Sequence, residues 1–172
     1  MLLNYWALPL LFVLHDFEEM IMVPIWKQRH AQRIRQMKKP FFGAVTSGQA
    51  FSVGVLEELL ILIGVSLLSY KLHSPILYLA FMAVYTLHFL MHYRMCLAYR
   101  GYVPGVISAT LELPIMIWLI LTYWQRSQST ISEFAIYFVF AFVVMMVNLR
   151  IMHELMPHIQ ARMTTYTKTS SL

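Results

Sequence analysis

His15, Glu18 and Glu19 are spaced three and four residues apart, and His88 and His92 are four apart. On an α-helix these spacings bring side chains to one flank, so each run can present two or three ligating atoms to a single centre. A histidine pair at i,i+4 is the arrangement by which one helix gives two nitrogens to one ion. Imidazole nitrogen combined with carboxylate oxygen suits Zn, Fe or Mn. Tyr85 lies one turn before His88, Ser108 one turn before Glu112, and Glu57, Glu58 and Asn148 supply further polar groups. The single Cys96 excludes an internal disulfide and any thiolate-rich site, so the chemistry must use His, carboxylate and hydroxyl groups.

The elements that position these groups are apolar. Of 172 residues, 59% are hydrophobic and 12% charged, with a mean hydropathy of +0.63; a soluble domain carries about 25% charged residues. The composition excludes an ordinary soluble domain, and a disordered chain needs the opposite balance. An all-α integral membrane bundle of five helices is predicted, with spans at about 2–22, 48–70, 75–97, 104–124 and 133–156. Each can cross about 30 Å of hydrocarbon, and together they form one domain over 1–157. The first segment has no basic residue before its apolar run and carries acids where a cleavage site needs small residues, so it is read as a retained span.

Lys27, Arg29, Arg33, Arg35, Lys38 and Lys39 crowd the 24–40 connection without an acid among them. This places the connection in the cytoplasm, the N-terminus outside and the 158–172 tail inside. Residues 24–39 are expected as a basic interfacial helix on anionic lipid, and Thr164–Leu172 as a frayed end. The formal charge of +5 therefore reports topology and no nucleic-acid partner. Trp6, Trp26, Trp124, Tyr5, Tyr70 and Tyr123 are expected as interfacial anchors, and Arg94 and Arg100 as topology determinants first, with contact to a headgroup or substrate as the alternative.

Seven of the eight acids fall inside spans or just within their ends, Glu133 being the exception. A charge at bilayer depth costs at least about 2.5 to 3.5 kcal/mol, so such groups face a protein interior and find partners. Counted from the cytoplasmic ends, His15, Glu57, His88, His92, Glu112 and Asn148 all lie about 8 to 14 Å deep. A proton or cation pathway would need polar groups in both leaflets, and the outer halves are nearly empty; structural hydrogen bonding is the remaining alternative. The constellation points to a metal site: His15, Glu18, Glu19, Glu57 or Glu58, His88, His92 and Glu112 are enough for two Fe or Mn ions. Glu18 and Tyr85 are the candidate catalytic groups, and Asn148, Arg94 and Arg100 the candidate substrate contacts. The predicted activity is oxidation of a lipid or other apolar molecule entering from the bilayer. A zinc hydrolase with a spare Glu as general base is the enzymatic alternative; a metal or proton transporter, or a structural membrane protein, is the non-enzymatic one.

With His15-Asp16-Phe17-Glu18-Glu19 in its first span, the sequence resembles the HXXEE family of small bacterial integral membrane proteins, named for that motif. Arg100-Gly101-Tyr102-Val103-Pro104-Gly105, the paired histidines and the Asn148–His153 segment are similar to the rest of its pattern, as far as about Pro157. The resemblance implies a site at His15, Glu18 and Glu19 and a bacterial inner-membrane location, and supplies no substrate.

Overall fold

The structure, a computed structural model, describes residues 4–37 and 40–169, with side chains as far as residue 166. Lys38, Lys39 and the start of the first predicted span lie outside the described residues. The protein is all-helical, with 84% helix and no strand among the described residues. The helices are α1 (Ala7–Arg29), α2 (Ala31–Arg35), α3 (Gly48–Lys71), α4 (Pro75–Tyr99), α5 (Val106–Ser127) and α6 (Ile131–Thr169).

The ends of these helices have local causes. Ser47 caps α3 by accepting from the Ala50 N–H at 3.3 Å. Pro75 opens α4 in the first turn, where its missing N–H has no helical partner to lose. Arg100 ends α4 in the left-handed region, and Gly105 precedes α5 with φ +88. The Leu8 N–H, unpaired within the first turn of α1, donates to the Tyr78 hydroxyl at 2.8 Å and pins that turn to α4.

Among the described residues, four helices are long and apolar enough to cross a membrane: α3, α4, α5 and α6 as far as Tyr166. α4 lies at the centre and is the most enclosed of them, packing against α3, α5 and α6. α1 packs on α3 and α5. It is 23 residues long but carries Asp16, Glu18 and Glu19. Its outer face is the continuous apolar stripe Leu10, Leu14, Phe17, Ile21 and Ile25, all about half exposed, while His15, Asp16 and Glu19 are buried on the other side. This is an amphipathic helix with its polar stripe turned inward.

Three expectations are corrected. Residues 24–29 finish α1 and α2 has only five residues, so 24–39 is not one interfacial helix. Trp26 and Tyr123 are buried rather than interfacial; the Trp26 indole donates to the Tyr102 carbonyl at 2.9 Å and packs on Tyr99. The tail stays helical to Thr169 because α6 continues without a break for 39 residues, about 58 Å at 1.5 Å per residue. Its lower part packs on the start of α3, where the Gln160 side-chain oxygen accepts from the Thr46 and Ser47 N–H groups.

Candidate metal centre

α1 contributes His15 and Glu19 from the same flank, and α4 contributes His88 and His92. One ligating atom from each of the four lies within 4.8 Å of the others. The closest approaches all involve His92 Nε2, which is 2.8 Å from His88 Nε2, 3.2 Å from His15 Nε2 and 3.1 Å from Glu19 Oε1. His15 Nε2 is 4.0 Å from Glu19 Oε1. Neighbouring ligands around a first-row divalent ion, bound at about 2.0 to 2.2 Å, stand about 3.0 to 3.4 Å apart. Most of these separations already approach that spacing.

Hydrogen bonds behind the rings fix which nitrogen faces inward. His92 Nδ1–H donates to the Pro104 carbonyl at 3.0 Å, leaving the Nε2 lone pair on the centre. The Ser108 hydroxyl donates to Glu18 Oε2 at 2.6 Å and accepts from His15 Nδ1–H at 3.0 Å, which leaves the His15 Nε2 lone pair on the same point. Lone pairs 3.2 Å apart repel each other, and a cation between them turns that repulsion into attraction. Carboxylate or carbonyl partners on the outer nitrogen are the usual means by which proteins orient ligating histidines.

The motif therefore divides its labour. His15 and Glu19 face the centre, whereas Glu18 turns toward the start of α5. There it accepts from the Ser108 N–H at 2.7 Å, the Ser108 hydroxyl and the Tyr102 hydroxyl at 2.8 Å. Ser108 is in the first turn of α5, so Glu18 caps that helix from another element and sits at the positive end of its dipole. Tyr102 lies in the connection between α4 and α5, where burial and the acceptor Glu18 push its hydroxyl above the ordinary value and keep it a donor.

The α4–α5 turn makes room for the site. A Cβ at Gly105 would overlap the His92 ring and Glu19 Oε1, and the φ of +88 is itself strained for other residues. Pro104, immediately before it, supplies the carbonyl that orients His92.

The other predicted residues are placed as follows. Glu58 and Tyr85 line a cavity of about 400 Å³ that also reaches Glu19, His88 and His92. Tyr85 donates to Glu112 Oε2 at 2.9 Å, and Glu112 lies outside the group of four. Glu57 accepts from Asn148 across the α3–α6 contact at 3.0 Å, so these two engage each other instead of the cavity. Arg94 and Arg100 are exposed and away from the cavity. Arg150 pairs with Glu154 at 3.4 Å, as their i,i+4 spacing suggests. Asp16 and His153 also line the cavity, and its remaining wall is apolar, including Phe12, Phe51, Met91 and Met145.

Sequence reasoning missed Asp16, Tyr102 and the turn at Pro104 and Gly105 as parts of the site. Asp16 is buried and lines the cavity. It is next to His15 in sequence, hence about 100° around the helix, and α3 covers that second flank.

The fold and site define a class: an all-helical protein with apolar, membrane-length helices and an internal His/Glu group able to hold a metal ion. The chain belongs to the HXXEE family, whose model matches residues 6–119 and is described as a protein of unknown function with HXXEE motif. No curated protein and no solved structure matches the chain.

Proposed function

We propose that this protein is a five-span membrane metalloenzyme whose His15, Glu19, His88 and His92 hold a divalent Fe or Mn ion and which oxidises a lipid or other apolar molecule. The observation that carries the reading is the convergence of His15, His92 and Glu19, with His92 Nε2 3.2 Å from His15 Nε2 and 3.1 Å from Glu19 Oε1, beside a largely apolar cavity. The inward polar stripe of α1 and its outward row of Leu, Phe and Ile support the fifth crossing. The basic 24–40 connection supports a cytoplasmic position for that side, with the N-terminus outside and the C-terminus inside; a bacterial inner membrane is the location proposed.

Four protein ligands favour Fe or Mn over catalytic zinc. Catalytic zinc sites use three protein ligands and leave one position open, whereas a six-coordinate ion holding four protein ligands keeps two. When bound, such an ion supplies one-electron and oxygen chemistry that side chains alone lack. The chain's own residues hold and orient. Ser108 and Pro104 fix the imidazoles, Tyr85 presents a hydroxyl on the cavity wall, and the Met and Phe walls accept an apolar substrate and exclude water. Electrons must come from a separate donor.

The test uses full-length protein reconstituted with Fe(II) or Mn(II) in nanodiscs of bacterial phospholipid and supplied with a chemical reductant. Oxygen uptake accompanied by oxidised lipid, both lost in H88A, is the expected result. Metal bound without oxygen uptake or change in any lipid would overturn the oxidative reading.

A further inference from the structure

Among the described residues that line the cavity, Pro40, Met91, Met146 and His153 are the exposed ones. Met91 on α4 is 49% exposed and Met146 on α6 42%, whereas the wall residues from α1 are buried. The open wall thus lies on α4 and α6, with Pro40 of the roofing loop beside them.

The course of α6 explains the gap. In its outer half α6 packs on α4, with the Phe81 and Phe140 rings 6.5 Å apart. Farther along it is held by α3 and the residues just before it. Asn148 donates to Glu57, the bare backbone of Gly54 faces the Met152 and Met156 side chains, and Gln160 accepts from the Thr46 and Ser47 N–H groups. Met91 and Met95 stand on the α4 side of the gap, next to the His88 and His92 pair, and Met145 and Met146 on the α6 side. Unbranched thioether side chains yield readily to an apolar body that passes between them.

Polarity along this mouth has one order. Met146 lies ten residues, about 15 Å, inside the predicted cytoplasmic end of its span at residue 156, and His153 three residues, about 5 Å, inside it. The mouth therefore meets hydrocarbon at Met146 and the headgroup region at His153, whose imidazole N–H is a donor for oxygen. A lipid has the same order, with its chain in the hydrocarbon and its oxygen-bearing end at the interface. The cavity of about 400 Å³ has room for about a dozen groups the size of a water molecule or a methylene, which is one chain and not a two-chain lipid. Among the described residues no lysine or arginine lines it, so the charged end of a lipid gains nothing by entering.

We infer that the cavity takes a single acyl chain, which enters sideways from the bilayer between Met91 of α4 and Met146 of α6 and leaves its carboxyl or ester oxygens at His153. The inference deepens the oxidative reading above and rests on it for the fate of the chain.

The experiment uses metal-stripped, full-length protein in nanodiscs that contain either a long-chain fatty acid or a phospholipid, each with a diazirine at the end of its chain. Photolysis is followed by peptide mass spectrometry. Labelling is expected to concentrate on Met91 and Met146 and, inside the cavity, on Phe51 and Val84. M91W and M146W fill opposite sides of the gap, and each is expected to cut the inner labelling about tenfold. L121W, on the exposed face of α5, is expected to leave it unchanged. H153L is expected to weaken inner labelling by the probe that the cavity takes, and the more strongly labelling probe identifies the source of the chain as free acid or phospholipid. Inner labelling no richer than that of the exposed face of α5, or undiminished in both M91W and M146W, overturns the entrance. Inner labelling that persists while Fe(II)- or Mn(II)-loaded protein oxidises neither lipid overturns the oxidative reading instead and leaves the entrance standing.

Discussion

His15 Nδ1 and the Ser108 hydroxyl are 3.0 Å apart, and through that contact α5 sets the direction in which an α1 histidine presents its other nitrogen. The same hydroxyl donates to Glu18, so the first and fourth residues of the motif are joined through one serine of another helix.

S108A should leave His15 free to turn and remove one hydrogen bond from Glu18, which keeps those from the backbone N–H at position 108 and from Tyr102. Loss of this kind of outer support typically costs about 10 to 100-fold in metal affinity. Competition against a chelator should show weakening of that order with the full complement still bound at saturation. E18Q, which keeps the size but not the charge at the α5 terminus, should weaken binding in the same direction. An unchanged affinity in both variants would separate Glu18 and Ser108 from the centre.

G105A forces a methyl group onto the His92 ring at a backbone angle that L residues rarely adopt. The strained angle alone costs about 1 to 3 kcal/mol, and moving His92 breaks its bond to Pro104. Thermal unfolding should shift down and metal binding should fall together. A variant with the wild-type melting temperature and wild-type affinity would show that the turn is not fixed by the site.

E19Q and E112Q should part company. Glu19 is 3.1 Å from His92 Nε2, whereas Glu112 accepts from Tyr85. E19Q should weaken the imidazole-held ion by at least about tenfold; E112Q should leave that ion bound and change only what the cavity does. Titration of both variants with Mn(II) or Fe(II) distinguishes the two.

K27M withdraws an ammonium from three carbonyls of the loop that roofs the cavity, and Phe42 of that loop lies against His92 with ring centroids 6.5 Å apart. Buried carbonyls left without donors cost about 1 to 3 kcal/mol. Lower stability to denaturant with a more accessible cavity is expected, and faster reaction of Cys or Met probes introduced into the cavity wall would report it. Equal stability and equal probe rates would show that the loop holds itself.

Much of this site was legible because helical periodicity is a local property. The spacings of His15 with Glu19 and of His88 with His92 place each pair on one flank without knowledge of the neighbours. What the sequence left open depended on which helix covers which flank. Glu57 and Glu58 are adjacent and equally plausible, and only the α6 Asn148 opposite Glu57 and the cavity beside Glu58 tell them apart. Glu18 had the spacing of a ligand, yet the α5 terminus with its free N–H groups claims it. Gly105 reads as turn punctuation until the His92 ring is seen against it. Trp26 has the position of an interfacial anchor, but the Tyr102 carbonyl and the Tyr99 ring enclose it.

The central claim is that His15, Glu19, His88 and His92 converge on a cation, and elemental analysis of detergent-purified protein after loading with Fe(II), Mn(II) or Zn(II) and removal of free metal tests it most directly. At least about one ion per chain in the wild type and less than about a tenth of that in the folded H88A/H92A double variant is the predicted result, since removing two of four ligands leaves too few for a stable site. No bound metal in the wild type, or an undiminished complement in the double variant, would contradict it.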